Sequence, residues 1–381
     1  MEQDTPSGGM SLRYAIIGGA AGIAPIHIRA LEQLPGAQIA GMSDINIERG
    51  AAAAQAAGCP FFGDHRMMLA ELRPDVAVIC APHPFHMTLA LDCFAAGAHV
   101  LVEKPIAVTV AEADRMIAAA NEAGRLLAVN FQQRFRPLIE RARALIEAGE
   151  LGPLVRVLCV EPWFRTAAYY RSAGWRGTWR GEGGGVLLNQ APHLLDLLIH
   201  LAGMPVKVWG WTRTLRHAIE CEDSAQAMLE FANGAPGYLS MSTVEAGKQR
   251  LQIVGERAAL ELAGQQLTIT RFSPSLREHM LNSPQLFEAP KSTVEIESLP
   301  GDGGGHLAIY RDLEAAIAGG GRPRSDGLEG RQSLELANAI ILSSFAERAV
   351  ALPLDRAEYD ALLDDLRQGD QEKGRQGDIR Q

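Results

Sequence analysis

Short apolar runs alternate with helix-patterned segments from Leu12 to about Phe131. Each apolar run is brief and lacks polar alternation, which is typical of a strand buried on both faces. The predicted strands are 12–17, 38–42, 76–81, 100–102 and 126–129, and the predicted helices between them are 23–34, 47–57, 84–96 and 110–123. This alternation predicts a parallel, doubly wound α/β sheet, with its ligand at the carboxyl ends of the strands.

After Pro137 the pattern changes, and the 381 residues are too many for one ordinary core. A helix to Gly149, a strand at 155–161 and a helix from Val186 to Leu201 precede a series of strand-like runs separated by turn residues. Those runs are 207–215, 225–231, 237–244, 251–254, 259–262 and 266–270. We therefore predict a doubly wound α/β domain at 10–133, an α+β domain with a mostly antiparallel sheet at 134–365, and a disordered tail at 366–381.

Composition excludes several classes of protein. The net charge is −9, without the clustered Lys/Arg excess of a nucleic-acid surface, so no nucleic-acid partner is expected. The five cysteines are widely spaced and form no Cys-x-x-Cys pair, which favours reduced thiols and no metal site. The polar N-terminus lacks the regions of a signal peptide, and no apolar run approaches the ~20 residues of a membrane span. A cytoplasmic protein with no membrane partner is expected.

A glycine-rich loop follows the first predicted strand and precedes a helix. It reads Gly18-Gly19-Ala20-Ala21-Gly22, with Ile23 next. Small residues let the backbone approach a pyrophosphate, and the helix N-terminus supplies N–H groups and partial positive charge. A strict G-x-G-x-x-G is absent, so a plain tight turn stays open as the alternative.

Asp44 ends the second predicted strand, roughly 25 residues past that loop, near the position of an acid that binds a ribose diol. A carboxylate there repels the extra phosphate of NADP, so NAD is the favoured cofactor. Arg49, one helical turn on, could offer its guanidinium to a 2′-phosphate, which keeps NADP possible, although a solvated helix residue is the favoured interpretation. The loop after the next strand contributes Ala81, Pro82 and His83 beneath the ribose and nicotinamide. His86 opens the following helix and is counted with the cofactor-binding residues; a structural role is favoured over a catalytic one.

Two further motifs carry the candidate chemistry. Glu103-Lys104-Pro105 follows a strand end, where the Lys104 ammonium can hold a substrate hydroxyl and stabilise an alkoxide beside a nicotinamide. Gly183 to Asp196 contains Asn189 and His193, four residues apart and therefore on one face of a helix. A histidine is the natural acceptor for a hydroxyl proton near neutral pH, so His193 is predicted to be catalytic.

Aromatic and arginine side chains concentrate just before this second motif. Sugar rings offer apolar faces and hydroxyl edges that such side chains match by stacking and hydrogen bonding. A loop packed on the sheet or buried in a subunit contact is an equally weighted alternative. Tyr170, Trp175 and Arg176 are the predicted ligand contacts within the set Trp163, Arg165, Tyr169, Tyr170, Arg171, Trp175, Arg176 and Trp179.

From about Leu12 to Leu354 the chain resembles the Gfo/Idh/MocA oxidoreductase family, the group of glucose-fructose oxidoreductase and inositol dehydrogenase. Glu103-Lys104-Pro105 is similar to that family's lysine motif. The stretch from Gly183 through His193 is similar to its substrate-helix motif. Asn130 to Phe135, which contains Arg134, is similar to the segment that links its two domains.

The resemblance implies a Rossmann domain and a mixed domain whose open sheet commonly forms a subunit interface, hence a homodimer or homotetramer. It implies hydride exchange between a tightly held NAD(P) and a sugar or polyol, with Lys104 and His193 as the catalytic pair, Glu103 beside the cofactor, and Arg134 and Asn189 near substrate. The chain departs from the family pattern in three places. Ala20 or Ala21 stands where the family usually has glycine. His83 stands where asparagine is usual, and Asn189 stands where many members have aspartate. An amide cannot take a proton, so Asn189 can only orient substrate or His193.

The leading functional hypothesis is therefore an NAD(P)-dependent dehydrogenase of a sugar, glycoside or cyclitol. An NAD-dependent glycoside hydrolase or lyase, in which a transient oxidation lets a glycosidic bond eliminate, is the second. A nucleotide-sensing binding protein is the third, since a fold alone never proves catalysis.

Overall fold

The computed structural model describes the backbone of residues 11–377 and side chains as far as residue 369. The described chain divides into two compact units. The first contains the residues up to Ala107, Glu112–Gln132 and Gly304–Gly330; the second contains Val108–Ala111, Gln133–Gly303 and the residues from Arg331 on.

The first unit is built on a parallel sheet with the strand order β3-β2-β1-β4-β5-β6, which confirms the predicted doubly wound topology. Its strands are β1 (Arg13–Ile17), β2 (Gln38–Ser43), β3 (Phe61–Phe62), β4 (Val76–Ile79), β5 (His99–Val102) and β6 (Leu127–Val129). All four residues of the central strand β4 are buried, as expected where helices cover both faces of a sheet.

The second unit contains a nine-stranded sheet in the order β14-β13-β12-β11-β7-β10-β9-β8-β15. The pair β7 and β10 is parallel and the other pairs are antiparallel, which confirms the predicted open, mostly antiparallel sheet. Its strands are β7 (Leu154–Pro162), β8 (Lys207–Arg213), β9 (Ser224–Glu230), β10 (Pro236–Ser242), β11 (Arg250–Gly255), β12 (Ala258–Ala263), β13 (Gln266–Ser273), β14 (Lys291–Glu297) and β15 (Val350–Ala351). Burial alternates along β7, as it must when one sheet face is covered.

The helices in chain order are α1 (Ala24–Glu32), α2 (Ile47–Ala56), α3 (His65–Leu72), α4 (His86–Ala95), α5 (Val110–Glu122), α6 (Pro137–Glu147), α7 (Ala167–Arg171), α8 (Val186–Asn189), α9 (Pro192–Ala202), α10 (Leu276–Asn282), α11 (Gly305–Gly319), α12 (Gly327–Ala346) and α13 (Arg356–Gly377). Short 3₁₀ turns lie at His83–Phe85 and Gln132–Phe135. No helix among the described residues is long and apolar enough to cross a membrane.

The structure departs from the sequence analysis in three local respects. The predicted single helix from Val186 to Leu201 is two helices, α8 and α9, because Pro192 has no N–H to continue the ladder. Residues 304–330 fall in the first unit, because α11 packs against α1, whereas the predicted boundary assigns them to the second domain. Helix α13 runs through Gly377, across most of the predicted tail, and residues 378–381 lie outside the described residues.

Candidate active site

The carboxyl ends of β2, β1, β4 and β5 are neighbours along one edge of the parallel sheet. The segments that leave this edge begin at Gly18, Asp44, Cys80 and Glu103. Sequence positions far apart in the chain are thereby collected at the edge where open α/β sheets bind their ligands.

The loop after β1 requires glycine at its first position. Gly18 has φ +90°, and a Cβ there would lie 2.9 Å from the backbone nitrogen of Ala81. Its N–H donates to the carbonyl of Ser43 at 2.8 Å. A Cβ at Gly22 would meet nothing within 4 Å, and among the described side chains none caps the α1 N-terminus at Ile23. The loop therefore exposes backbone N–H groups, and the N-terminus of α1 has free N–H groups that can bind a pyrophosphate. The residues present fit a dinucleotide.

Asp44 is held firmly at the end of β2. Its Oδ2 accepts from the Ala20 N–H and its Oδ1 from the Asn46 N–H, both at 2.8 Å. Arg49 is exposed, and its Nη2 donates to the Ala20 carbonyl at 2.9 Å. The carboxylate and the guanidinium therefore both hydrogen-bond to the backbone of Ala20 in the glycine-rich loop.

His86 is fully buried and connects two of the segments at this edge. Its Nδ1 lies 2.9 Å from the Pro105 carbonyl oxygen and its Nε2 lies 2.8 Å from that of Ala81. Burial lowers the pKa of His86, although both carbonyls act in the opposite direction. The ring of His83 lies edge-on to that of His86 at 5.8 Å. These contacts support the structural role that the sequence analysis favours for His86.

Glu103 is the centre of a buried polar network that the sequence analysis does not foresee. Its Oε1 lies 2.8 Å from His27 Nε2 and accepts from Asn130 Nδ2 at 2.5 Å. The other ring nitrogen of His27 lies 2.8 Å from the Tyr310 hydroxyl. His27 carries the one detectable signal in the sequence, a histidine at a buried position of an otherwise apolar helix face.

The charges in this network reinforce one another. Burial would lower the pKa of His27, but the sulfur of Cys80 and the carboxylate of Glu103 raise it to about 10. Burial would raise the pKa of Glu103, but His27, the charge of Lys104 and the Asn130 amide hold it well below its ordinary value. Both shifts favour the form of the pair in which the His27 imidazole is protonated and the Glu103 carboxyl is ionised.

His27, Glu103 and His306 also have the donor types of a metal site, with one ligand atom from each lying within 4.8 Å of the others. Both nitrogens of His27 already lie at hydrogen-bond distance from Glu103 and Tyr310. Each ring nitrogen thus has a hydrogen-bond partner, and a metal bound by His27 would have to displace one of them. The geometry is that of an ion pair.

Lys104 follows directly and is half-buried. Its backbone N–H donates to Glu103 Oε2 at 3.3 Å, and its ammonium is close enough to lower the pKa of that carboxyl. The buried carboxylate thus fixes the backbone from which the lysine side chain extends.

In the second unit, two buried carboxylates shape the segment that precedes His193. Glu182 accepts from the Gly177 N–H at 2.6 Å and from the side-chain amide of Asn189. Glu222 accepts from the Gly185 N–H at 3.0 Å, and burial raises the pKa of Glu222 to about 7. Neither carboxylate belongs to the motif from Gly183 to Asp196. Glu182 immediately precedes that motif, and Glu222 lies after β8.

Asn189 and His193 lie on either side of the break between α8 and α9. Asn189 is the last residue of α8, and His193 is the second residue of α9. The single continuous helix on which the sequence analysis places them is therefore wrong. His193 is half-buried, whereas the six residues that follow it in the helix are buried.

Arg134 forms a buried, bidentate ion pair with Asp196 of α9. Its Nε lies 2.8 Å from Oδ2 and its Nη2 lies 2.5 Å from Oδ1. The two side chains are 1% and 2% exposed. The sequence predicts a substrate contact for Arg134, whereas this geometry favours a role in anchoring the helix that carries His193.

Tyr170, a second predicted ligand contact, is also committed to internal packing. It is 8% exposed, its hydroxyl lies 2.9 Å from Thr243 Oγ1, and its ring lies 4.6 Å from that of His217. Burial raises the pKa of Tyr170 to about 12. Trp175 and Arg176, in contrast, remain half-buried.

Comparison with known families agrees with this architecture. Residues 12–131 match the model of an oxidoreductase family with an NAD-binding Rossmann fold, and residues 139–261 match the GFO/IDH/MocA C-terminal domain. The chain belongs to the Gfo/Idh/MocA oxidoreductase family, whose N-terminal domain binds NAD.

Individual relatives span several substrates. The chain is 37% identical to the 1-carboxy-3-chloro-3,4-dihydroxycyclohexa-1,5-diene dehydrogenase of Comamonas testosteroni, over 44% of this chain and 43% of that protein. It is 27% identical to the D-apiose dehydrogenase of Paraburkholderia graminis, over 88% of each. The crystal structure of the WlbA dehydrogenase from Bordetella pertussis, in complex with NADH and UDP-GlcNAcA, superposes with a TM-score of 0.77 at 30% identity, covering 91% of this chain and all of that one.

Proposed function

We propose that this chain is an NAD(P)-dependent dehydrogenase that oxidises a hydroxyl-bearing carbon of a sugar, glycoside or cyclitol. The observation that carries the proposal is the collection of the glycine loop, Asp44 and Lys104 at one edge of the parallel sheet. D-Apiose dehydrogenase, which aligns along most of the chain, supports a sugar as substrate. When bound, NAD accepts a hydride at its nicotinamide ring.

Lys104 is the proposed electrostatic catalyst. Its ammonium donates a hydrogen bond to the substrate oxygen and stabilises the negative charge that grows there as the C–H bond breaks. The fixed Glu103 carboxylate supports this role, because it accepts a hydrogen bond from the Lys104 backbone N–H and its charge attracts the ammonium.

His193 is the proposed base. Its imidazole accepts the hydroxyl proton while the C–H bond supplies the hydride, so that a carbonyl forms and charge balances. Asn189 donates to Glu182 and cannot take a proton, so its proposed role is to hold the turn between α8 and α9.

NAD is the proposed preferred cofactor, in agreement with the carboxylate at Asp44. Asp44 has spare lone pairs beyond its two backbone bonds, and these suit a ribose diol. Arg49 lies beside it and uses one of its five N–H groups on the Ala20 carbonyl; the others are the groups that would bind the 2′-phosphate of NADP, the alternative cofactor.

A homodimer or homotetramer in the cytoplasm is the proposed working form, assembled through the nine-stranded sheet. Exposed large side chains on that sheet support this assembly. Trp209 pairs across the strands with Met228, and Met228 pairs with Tyr238. The three side chains are 43%, 52% and 41% exposed, which makes an apolar row unusual for a surface in water.

The test is a screen of sugars, sugar acids, inositols and glycosides with NAD and with NADP, following absorbance of the reduced cofactor. Net reduced cofactor with at least one compound supports the dehydrogenase. Cleavage of a glycoside with no net reduced cofactor would instead support the hydrolase or lyase chemistry. Faster turnover with NADP than with NAD would contradict the cofactor assignment.

Lys104→Ala should lower kcat by roughly 10²- to 10³-fold, the usual loss when one group that stabilises a developing oxyanion is removed. NAD binding, measured by calorimetry, should change little because the charge acts on the reacting oxygen. Lys291→Ala, which removes an exposed lysine on β14, is the matched control. Turnover of Lys104→Ala near that of the control would remove Lys104 from the mechanism.

A further inference from the structure

In the second unit, Tyr169 contacts two arginine side chains. The Arg165 Cζ lies 5.0 Å from the centroid of its ring and the Arg176 Cζ lies 4.2 Å from it. Each guanidinium also lies over a tryptophan, Arg165 over Trp163 at 5.2 Å and Arg176 over Trp175 at 4.5 Å. Stacking of this kind holds each guanidinium plane in a fixed direction and leaves its N–H edge available.

Among the described residues, the hydrogen-bond partners of these two guanidinium groups are neutral. Arg165 Nη1 donates to the Phe164 carbonyl at 3.1 Å, and Arg176 donates to Ser172 Oγ at 3.2 Å and to the Tyr169 hydroxyl at 2.5 Å. Within residues 11–369, neither guanidinium has a carboxylate within 4.0 Å. Both arginines are half-buried, so the site holds two like charges partly removed from water.

Such an arrangement is costly unless an anion completes it. Two cations beside one ring repel each other, and partial burial strengthens that repulsion. Burial raises the pKa of Tyr169, the Arg176 charge acts against burial, and the nearby Glu182 carboxylate acts with it. The Glu182 oxygens accept from the Gly177 N–H and the Asn189 amide. An additional negative group from outside the chain would relieve the remaining charge.

The arginine pair is connected to the segment that carries the proposed base. The Tyr169 hydroxyl accepts from Gln190 Nε2 at 2.9 Å as well as from Arg176. Gln190 follows Asn189 and lies in the turn between α8 and α9. A negative group held by Arg165 and Arg176 would therefore belong to a molecule that lies against the same turn as His193.

We propose that Arg165 and Arg176 bind a carboxylate of the substrate, so that the enzyme acts on an acidic sugar or an acidic cyclic polyol in preference to the neutral compound. Guanidinium forks match the two oxygens of a carboxylate in bidentate fashion. This inference rests on the proposed dehydrogenase function and specifies the substrate class of that site.

The experiment compares compounds that share a ring and differ in one group: glucuronate with glucose, galacturonate with galactose, and glucose 6-phosphate as the phosphate arm. The kcat/KM for the acid should exceed that for the neutral sugar by about tenfold or more, the usual effect of a charge-assisted hydrogen bond. The gain should be mainly in KM, because the ion pair is made equally in the bound substrate and in the transition state.

Variants distinguish a specific effect of Arg165 and Arg176 from an effect of net charge. Arg165→Gln and Arg176→Gln should each bring the acid-to-neutral ratio of kcat/KM close to one. Arg165→Lys keeps the charge without the fork and should retain part of the ratio. Arg171→Gln is the matched control, because Arg171 is an exposed arginine in the same segment and its removal changes net charge equally. Thermal unfolding of each variant verifies that it is folded.

A binding measurement distinguishes failure of this inference from failure of the proposed function. Saturation-transfer NMR with glucuronate and NADH detects binding without turnover. If glucuronate binds, and Arg165→Gln weakens that binding, while no compound is oxidised, the carboxylate site stands and the dehydrogenase proposal fails. If neutral sugars are oxidised as well as their acids and the arginine variants leave the ratio unchanged, the carboxylate site is wrong. A preference for glucose 6-phosphate over glucuronate would also overturn it.

Discussion

At the scale of single residues, His193 and Asn189 differ in what they can do with a proton. If His193 is the base, kcat/KM should fall at acid pH as the imidazole protonates, because an imidazolium cannot accept the hydroxyl proton. His193→Asn should flatten that acid limb and lower kcat by roughly 10²- to 10⁴-fold. Asn189→Ala should keep the fall in kcat/KM at acid pH and should lose less activity than His193→Asn. A pH–rate profile with an intact acid limb in His193→Asn would assign the base to another group.

The contact between His27 and Glu103 should make the stability of the first unit depend on pH. The pKa of His27 is raised to about 10, so its contribution to stability is complete below its ordinary pKa of about 6.5 and declines as pH rises toward 10. The difference in free energy of unfolding between wild type and His27→Gln should therefore shrink between pH 7 and pH 10, measured by urea unfolding. Glu103→Gln removes the partner and should weaken the same dependence. A difference that stays constant across this range would contradict the ion pair.

This network also marks where residue-level prediction from sequence ends. The lysine motif and the acid after β2 are recognisable because each follows a strand end within a few residues. The partners of His27 lie 76 and 283 positions away in the chain, at Glu103 and Tyr310. Local pattern carries no information on such distant pairs. For the same reason the pairing of Arg134 with Asp196, 62 positions apart, is not predictable from either residue.

At the scale of elements, the buried strands were the easiest to predict. β1, β2, β4 and the strands of the antiparallel sheet from β7 to β13 coincide with short apolar runs to within a few residues. β3 has two residues, and β14 has an almost entirely exposed sequence, so neither produces such a run. The break between α8 and α9 is signalled by Pro192 alone, and a proline at that position is equally compatible with a kinked continuous helix.

The start of α8 depends on Gly185. A Cβ on Gly185 would lie 1.8 Å from the backbone carbonyl oxygen of Glu222, which cannot move without disturbing the strand that follows. Gly185→Ala should lower the free energy of unfolding by about 1–3 kcal/mol or more, as overpacking does. Gly174→Ala is the control, because a Cβ there meets nothing within 4 Å. Equal melting temperatures for the two variants would contradict this close approach.

At the scale of the whole molecule, the exposed row on the nine-stranded sheet is the proposed subunit contact. Trp209→Glu should shift the protein to a smaller species in light scattering coupled to size-exclusion chromatography, because a charge at the centre of a buried interface is strongly unfavourable. Met67→Glu, which changes an exposed methionine on α3, should leave the mass unchanged. A wild-type protein that is already monomeric would refute the assembly.

The interleaved path of the chain has a consequence for its synthesis. The first unit is completed by Gly304–Gly330, and the whole of Gln133–Gly303 is translated before that segment. Until it leaves the ribosome, His27 lacks Tyr310, and Tyr14 lacks the Glu314 carboxylate that its hydroxyl contacts at 2.9 Å. The parallel sheet therefore cannot complete these contacts until β7 to β14 of the second sheet have been translated. Although its strands come first in the chain, the nucleotide unit is completed only shortly before the second unit, whose last segment begins at Arg331.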